Sequence, residues 1–201
     1  MSRQKGSRYS LNAPRAVKPI DYIAIQQILG SITSIEKVNR KWQLYFRVLW
    51  ETGIRPGEAL ALKASEVQSQ SLLVHRLKKK GHPEDEVKIQ PQLELALQSY
   101  IALEKKKPSH RLFPDTIQAV HFIFNRVKKK LSLPDSITPH SFRHGFAMNL
   151  VAQSPPALRA DATKMLKVLQ RALAHKSMST IGVYLEVDKS DVDKVIDGMR
   201  F

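Results

Sequence analysis

Cysteine is absent from all 201 residues, so the chain can form no disulfide, no thiolate metal site and no thiol nucleophile. Also missing is any run of about 18 apolar residues, which excludes a helical membrane span. The segment 1–18 carries Arg3, Lys5, Arg8, Arg15 and Lys18 without one acid. It also lacks the apolar stretch a signal peptide needs, which argues against secretion; nothing argues against the cytoplasm, and a cytoplasmic, nucleoid- or plasmid-associated protein is expected. Acids are scarce throughout: 18 Asp and Glu stand against 33 Lys and Arg, for a formal charge of +15 and a pI near 10.1. Such an excess points to a polyanionic partner, nucleic acid being the usual one. A generically basic protein is the bland alternative. What is present suffices for a core, since 42% of the residues are hydrophobic and the length fits one domain.

Periodicity predicts a mainly helical chain with a small antiparallel β-hairpin, an α+β domain. Residues 1–18 show no periodicity and read as a basic flexible arm. From about Asp21 a helix is expected, with Tyr22, Ile25, Ile28 and Leu29 on one face. A second carries Trp42, Tyr45, Phe46 and Leu49; Thr52-Gly53 ends it, and Pro56 suits the first turn of the next. Leu72 to Lys80 reads as a strand, Gly81 to Asp85 as a turn, and Glu86 to Gln90 as the return strand. Further helices are marked by Leu93, Leu97, Tyr100 and Ile101, and by Val120, Phe124, Val127 and Leu131. One starting near Pro139 carries Phe142, Phe146 and Leu150, and another carries Ala162, Met165, Leu166, Leu169 and Leu173. Between them, Gln153 to Ala160 reads as a Pro-interrupted loop. A last stretch, Val192, Val195, Ile196 and Met199, follows Ser190 as N-cap.

Three separated polar segments stand out. Thr52-Gly53-Ile54-Arg55-Pro56-Gly57-Glu58 places an arginine at a helix start with a glutamate three residues on; alone, it reads as a surface ion pair. In His140-Ser141-Phe142-Arg143-His144, His140 and Arg143 lie three apart on a helix and project to one side. Two such groups repel unless an anion meets them, and the bland reading is a solvated basic helix. Leu173-Ala174-His175 is followed nine residues later by Tyr184, and singly these are a core histidine and a packing tyrosine.

Taken together, in order and spacing, T-G-x-R-x-x-E, H-x-x-R-H and L-x-H with a tyrosine nine residues on resemble the tyrosine recombinase (phage integrase) family. The resemblance runs from about Lys18 to the C-terminus, and Lys167–Gln170 through Ala174–Ser177 look most like plasmid-borne recombinases. It implies a DNA strand transferase in which Tyr184 attacks a phosphodiester, giving a 3′-phosphotyrosyl link and a free 5′-hydroxyl. Arg55 and Arg143 would clamp the scissile phosphate, His175 would donate a hydrogen bond to it, and His140 would help Tyr184 lose its proton. Glu58 and His144 would support them. The family's hairpin lysine, which protonates the leaving 5′-oxygen, would be Lys80, next to the turn glycine, with Lys78 as the alternative. The chemistry agrees: a phosphotyrosine ester conserves the bond energy that hydrolysis would lose. A guanidinium fork matches phosphate and stays charged, so two arginines and a histidine need no metal or other cofactor.

The resemblance also implies double-stranded DNA as partner and a tetramer on it, with neither a membrane nor a small-molecule substrate. A type IB topoisomerase-like nicking-closing enzyme shares the chemistry, and a DNA-binding accessory protein with a decayed site is the alternative from another class. On this reading 1–18 is the arm, 19–185 the catalytic domain, and 186–201 a helical tail, docking on a neighbour or in cis. That tail carries Asp188, Asp191, Asp193 and Asp197, which makes it a poor DNA binder. Only 54 residues precede Arg55, so the family's separate clamp domain is expected to be absent. Ala174 stands where the family usually has glycine. Residues 153–160 lengthen the interval from Arg143 to His175; they touch DNA through Arg159 or are inert.

Overall fold

The stripe Trp42, Tyr45, Phe46 and Leu49 is buried along its whole length on α2 (Arg40–Thr52), as its spacing requires. The computed structural model describes residues 22–33, 40–77 and 83–174. The α2 stripe shares one core with Ile25, Ile28 and Ile32 of α1 (Tyr22–Thr33) and with Leu93, Leu97 and Tyr100 of α4 (Pro91–Leu103). Val120, Phe124 and Val127 of α5 (Ile117–Leu131) and Phe142 of α6 (Ser141–Gln153) complete it. Its centre is aromatic. The Phe46 ring lies 5.2 Å from Tyr45, 5.6 Å from Phe124 and 5.2 Å from Phe142, separations at which ring quadrupoles attract. Phe142 thereby fixes the rotation of α6, and with it the neighbouring residue Arg143.

A three-stranded antiparallel sheet flanks this core: β1 (Val67–Gln68), β2 (Ser71–His75) and β3 (Glu84–Lys88), in that order. Leu72 faces Val67 on one side and Val87 on the other. The hairpin is therefore present, but its edges differ from expectation. β2 ends at His75 rather than Lys80, Glu84 and Asp85 pair in β3 instead of turning, and β1 is an added strand. Two residues are too few to show alternation. Lys78 to His82 lie outside the described residues, as do the arm 1–18 and the tail 186–201.

A second, smaller core is built by α6, α7 (Pro156–Ala160) and α8 (Ala162–Ala172) around Ala147, Met165, Leu169 and Leu173. Residues 153–160 are consequently not the loop that two prolines suggested. The Ser154 hydroxyl donates to the Leu150 carbonyl and closes α6, and Pro156 then opens α7 at its first position, where a missing N–H costs nothing. Leu158 packs on the small core, whereas Ala162, expected in the α8 stripe, is exposed. No helix among the described residues is long and apolar enough to cross a membrane.

Candidate active site

The turn from α2 into α3 (Pro56–Ala61) is built around Gly53, whose φ of +63° suits glycine. A Cβ there would come within 2.3 Å of the Phe146 ring, so α6 approaches the turn as closely as backbone allows. Two residues on, Arg55 is the N-cap of α3. Its backbone N–H donates to Glu58 Oε2 and its Nη1 to Glu58 Oε1, each at 2.9 Å. The Tyr45 hydroxyl donates to the Pro56 carbonyl at 3.0 Å, tying this helix start to the aromatic core. Burial, with a smaller contribution from Asp115, pushes the Tyr45 hydroxyl far above its ordinary range. Burial followed by Glu104 and Asp115 pushes Tyr100 up to about 12. Both are core tyrosines.

Arg143 is 5% exposed, so the solvated basic helix is not what forms. Its Nη1 donates to the Gly53 carbonyl and its Nη2 to the Leu173 carbonyl. One guanidinium thus spans the end of α2 and the end of α8, fastening the small core to the large one. Ala174 follows in the left-handed region, φ +48°, capping α8 as glycine would and standing directly before His175. An L-residue is strained there, which gives the glycine of the family pattern a physical reason. Ala174→Gly is expected to stabilise the fold by about 0.5–1 kcal/mol, read as a higher urea midpoint at constant slope.

His140 caps α6 and is exposed, unlike Arg143. It faces a cleft of about 340 Å³ with Arg55, Glu58, Leu77, Ile117 and His121. The side chain of Arg55 keeps Nη1 on Glu58, and no second partner for it is found among the described residues. Arg55 and His140, from distant parts of the chain, therefore line one largely apolar cleft together.

His144 is half-buried, near His140 and Arg143. Burial first, then the positive charge of His140 and Arg143, hold its imidazole below the ordinary 6.5. A histidine held low in the fold takes up its proton more readily in the unfolded chain. Its contribution to stability is therefore complete above 6.5 and is lost as pH falls below that value toward the folded one. Urea midpoints measured from pH 7.5 to 5 should fall on the acid side, and His144→Gln should flatten the slope.

The structure brings Arg55, Glu58 and His140 to one cleft, whereas Arg143 and His144 are not among the residues that line it. Lys78, Lys80, His175 and Tyr184 lie outside the described residues. Two further residues escaped the sequence. His121 lines the cleft from α5, where nothing in its amphipathic pattern marks it. Arg76, at the foot of a lysine-rich run, is 1% exposed and bonded to Glu58 and Asp85.

A model described as the phage integrase family matches residues 21–191. The tyrosine recombinase XerC of Leptospira interrogans is 32% identical over 161 residues, covering 74% of this chain and 47% of that protein. XerC of Rhodospirillum centenum is 28% identical over 196 residues, covering 89% and 54%. The chain spans about half the length of the curated relatives it matches. Among solved structures, the XerH site-specific recombinase bound to difH substrate superposes with a TM-score of 0.69 at 23% identity, over 90% of this chain and 54% of that one. The catalytic domain of bacteriophage HP1 integrase gives 0.61 at 19% identity, over 90% and 95%.

Proposed function

The chain belongs to the phage integrase family of tyrosine recombinases, and from that premise we propose that it cleaves and rejoins double-stranded DNA through a 3′-phosphotyrosine at Tyr184. The observation that carries this reading is the cleft in which Arg55 and His140, from distant parts of the chain, meet, with Glu58 bonded to Arg55. Arg55 and Arg143 would neutralise the scissile phosphate as charge builds on its non-bridging oxygens. His175 would donate to the same oxygens, His140 would take the Tyr184 proton, and Lys80, or Lys78, would protonate the departing 5′-oxygen. Glu58 and His144 would hold the arginines and His140 in place. The charge of +15 supports a polyphosphate partner, and solved relatives are described as bound to DNA, XerH to difH and lambda integrase to a core site.

On this reading the domain is the part of a tetramer on DNA that performs the chemistry, with 1–18 and 186–201 as its peripheral arms. The test starts from duplexes recovered by binding selection on random DNA, each nicked so that cleavage releases a short strand and traps the intermediate. A covalent protein–DNA band on a denaturing gel, its attached peptide containing Tyr184, supports the proposal. No band on any selected duplex, or attachment elsewhere, refutes it.

A further inference from the structure

The joint between α3 and the sheet is a buried chain of alternating charge. Glu58 sits at its centre with a side chain wholly removed from solvent. Its carboxylate accepts from Arg55 on one side and from Arg76 Nη1, at 3.1 Å, on the other. Arg76, itself 1% exposed, turns its remaining edge to Asp85 Oδ2, with Nε at 3.0 Å and Nη2 at 2.8 Å. Its backbone N–H donates to the Pro83 carbonyl at 3.1 Å, closing the base of the hairpin. Four groups thus stand in the order Arg55, Glu58, Arg76, Asp85, with the cationic end at the cleft.

A buried carboxylate facing one guanidinium makes a closed neutral pair and takes from Arg55 the charge a phosphate would need. With Arg76 on its other oxygen, Glu58 divides its negative charge between two cations. Asp85 in turn prevents Arg76 from becoming an uncompensated buried charge. The outcome is an Arg55 that is held in place yet remains net positive toward the cleft. We propose that Arg76 is a positioning residue for the reaction, setting through Glu58 both the orientation and the available charge of Arg55. This rests on the strand-transfer reading above. It goes beyond it because Arg76 lies behind Glu58 and is not among the residues lining the cleft.

A role through charge differs measurably from a merely architectural one. If Arg76 keeps Arg55 positive for the phosphate anion, its removal matters less when the scissile phosphate carries no negative charge. The experiment uses the full chain and two duplexes, one with the natural phosphate and one with a methylphosphonate at the mapped cleavage position. Adduct formation is followed in single turnover. Arg76→Met is expected to slow cleavage of the phosphate by about tenfold or more, with DNA affinity unchanged, since one donor's worth of transition-state stabilisation is impaired. On the methylphosphonate the same variant should lag the parent by less than about threefold. Arg76→Lys, which restores the cation without the fork, should fall between parent and Met on the phosphate duplex. It also carries the test if the Met variant does not fold. Equal losses on both duplexes would make Arg76 a structural brace only and overturn the proposal, as would full activity of Arg76→Met. Failure of the parent to form an adduct on either duplex counts instead against the strand-transfer reading.

Discussion

Replacing Tyr184 by phenylalanine is expected to abolish the covalent DNA adduct while leaving DNA affinity close to that of the parent. The change removes one oxygen and keeps the ring, so any packing role survives and only the proposed nucleophile is lost. Cleavage should fall by more than about 10⁴-fold, the scale on which deleting an enzyme's nucleophile acts. Affinity should stay within about threefold, because phosphate contacts by cationic side chains dominate binding and none of them is touched. The two tyrosines whose surroundings are described offer no rival. Tyr45 donates its hydroxyl to the Pro56 carbonyl within the core, and burial drives its proton loss far out of reach. Tyr100 stacks on Phe113 at 6.2 Å and is pushed up to about 12, so neither supplies a phenolate near neutral pH. An adduct that persists in Tyr184→Phe would place the nucleophile elsewhere and remove the basis of the proposed function.

How much of this was legible depended on how local each signal is. Trp42, Tyr45, Phe46 and Leu49 announced a helix because four large apolar residues at helical spacing have no cheaper way to leave water, and all four are buried. Arg55 and Glu58 were legible as a capping pair because residues three apart on a helix start meet without help from the rest of the fold. Arg143 was readable as to type but not as to surroundings. Its bonds to the Gly53 and Leu173 carbonyls join segments far apart in the chain, and no periodicity encodes them. Arg76 was hidden for the same reason, since beside three lysines a cation looks solvated until Glu58 and Asp85 are folded against it. The strand β1 and the helix α7 were missed on length. Two residues show no alternation, and in α7 the paired prolines that open the helix read as breakers.

Arg55→Ala and Arg143→Ala should each cut the rate of adduct formation by about 10²–10⁴-fold, but with different consequences for the fold. On the proposed reading both remove a guanidinium from the scissile phosphate, and a fixed cation beside developing charge is worth most where water is excluded. Arg55 is partly exposed at the cleft, and Glu58 keeps Arg76 as a buried counter-ion when Arg55 is gone. The Arg55 variant should therefore remain folded, with a loss of about 1 kcal/mol from the missing hydrogen bonds. Arg143 has no such substitute. Its removal leaves the Gly53 and Leu173 carbonyls without their guanidinium donor and loosens the clasp between the two cores. A further loss of about 2–4 kcal/mol follows if each orphaned acceptor costs its desolvation. Lysine should rescue neither rate fully, because it supplies the charge without the fork, and at Arg143 one ammonium cannot reproduce the planar bridge between the two carbonyls. Urea unfolding and single-turnover cleavage on the same variants separate the two effects. Arg143→Ala cleaving at the parent rate would remove it from the phosphate clamp. Arg55→Ala unfolding as readily as Arg143→Ala would mean that the clasp between the cores is not where the difference in their roles lies.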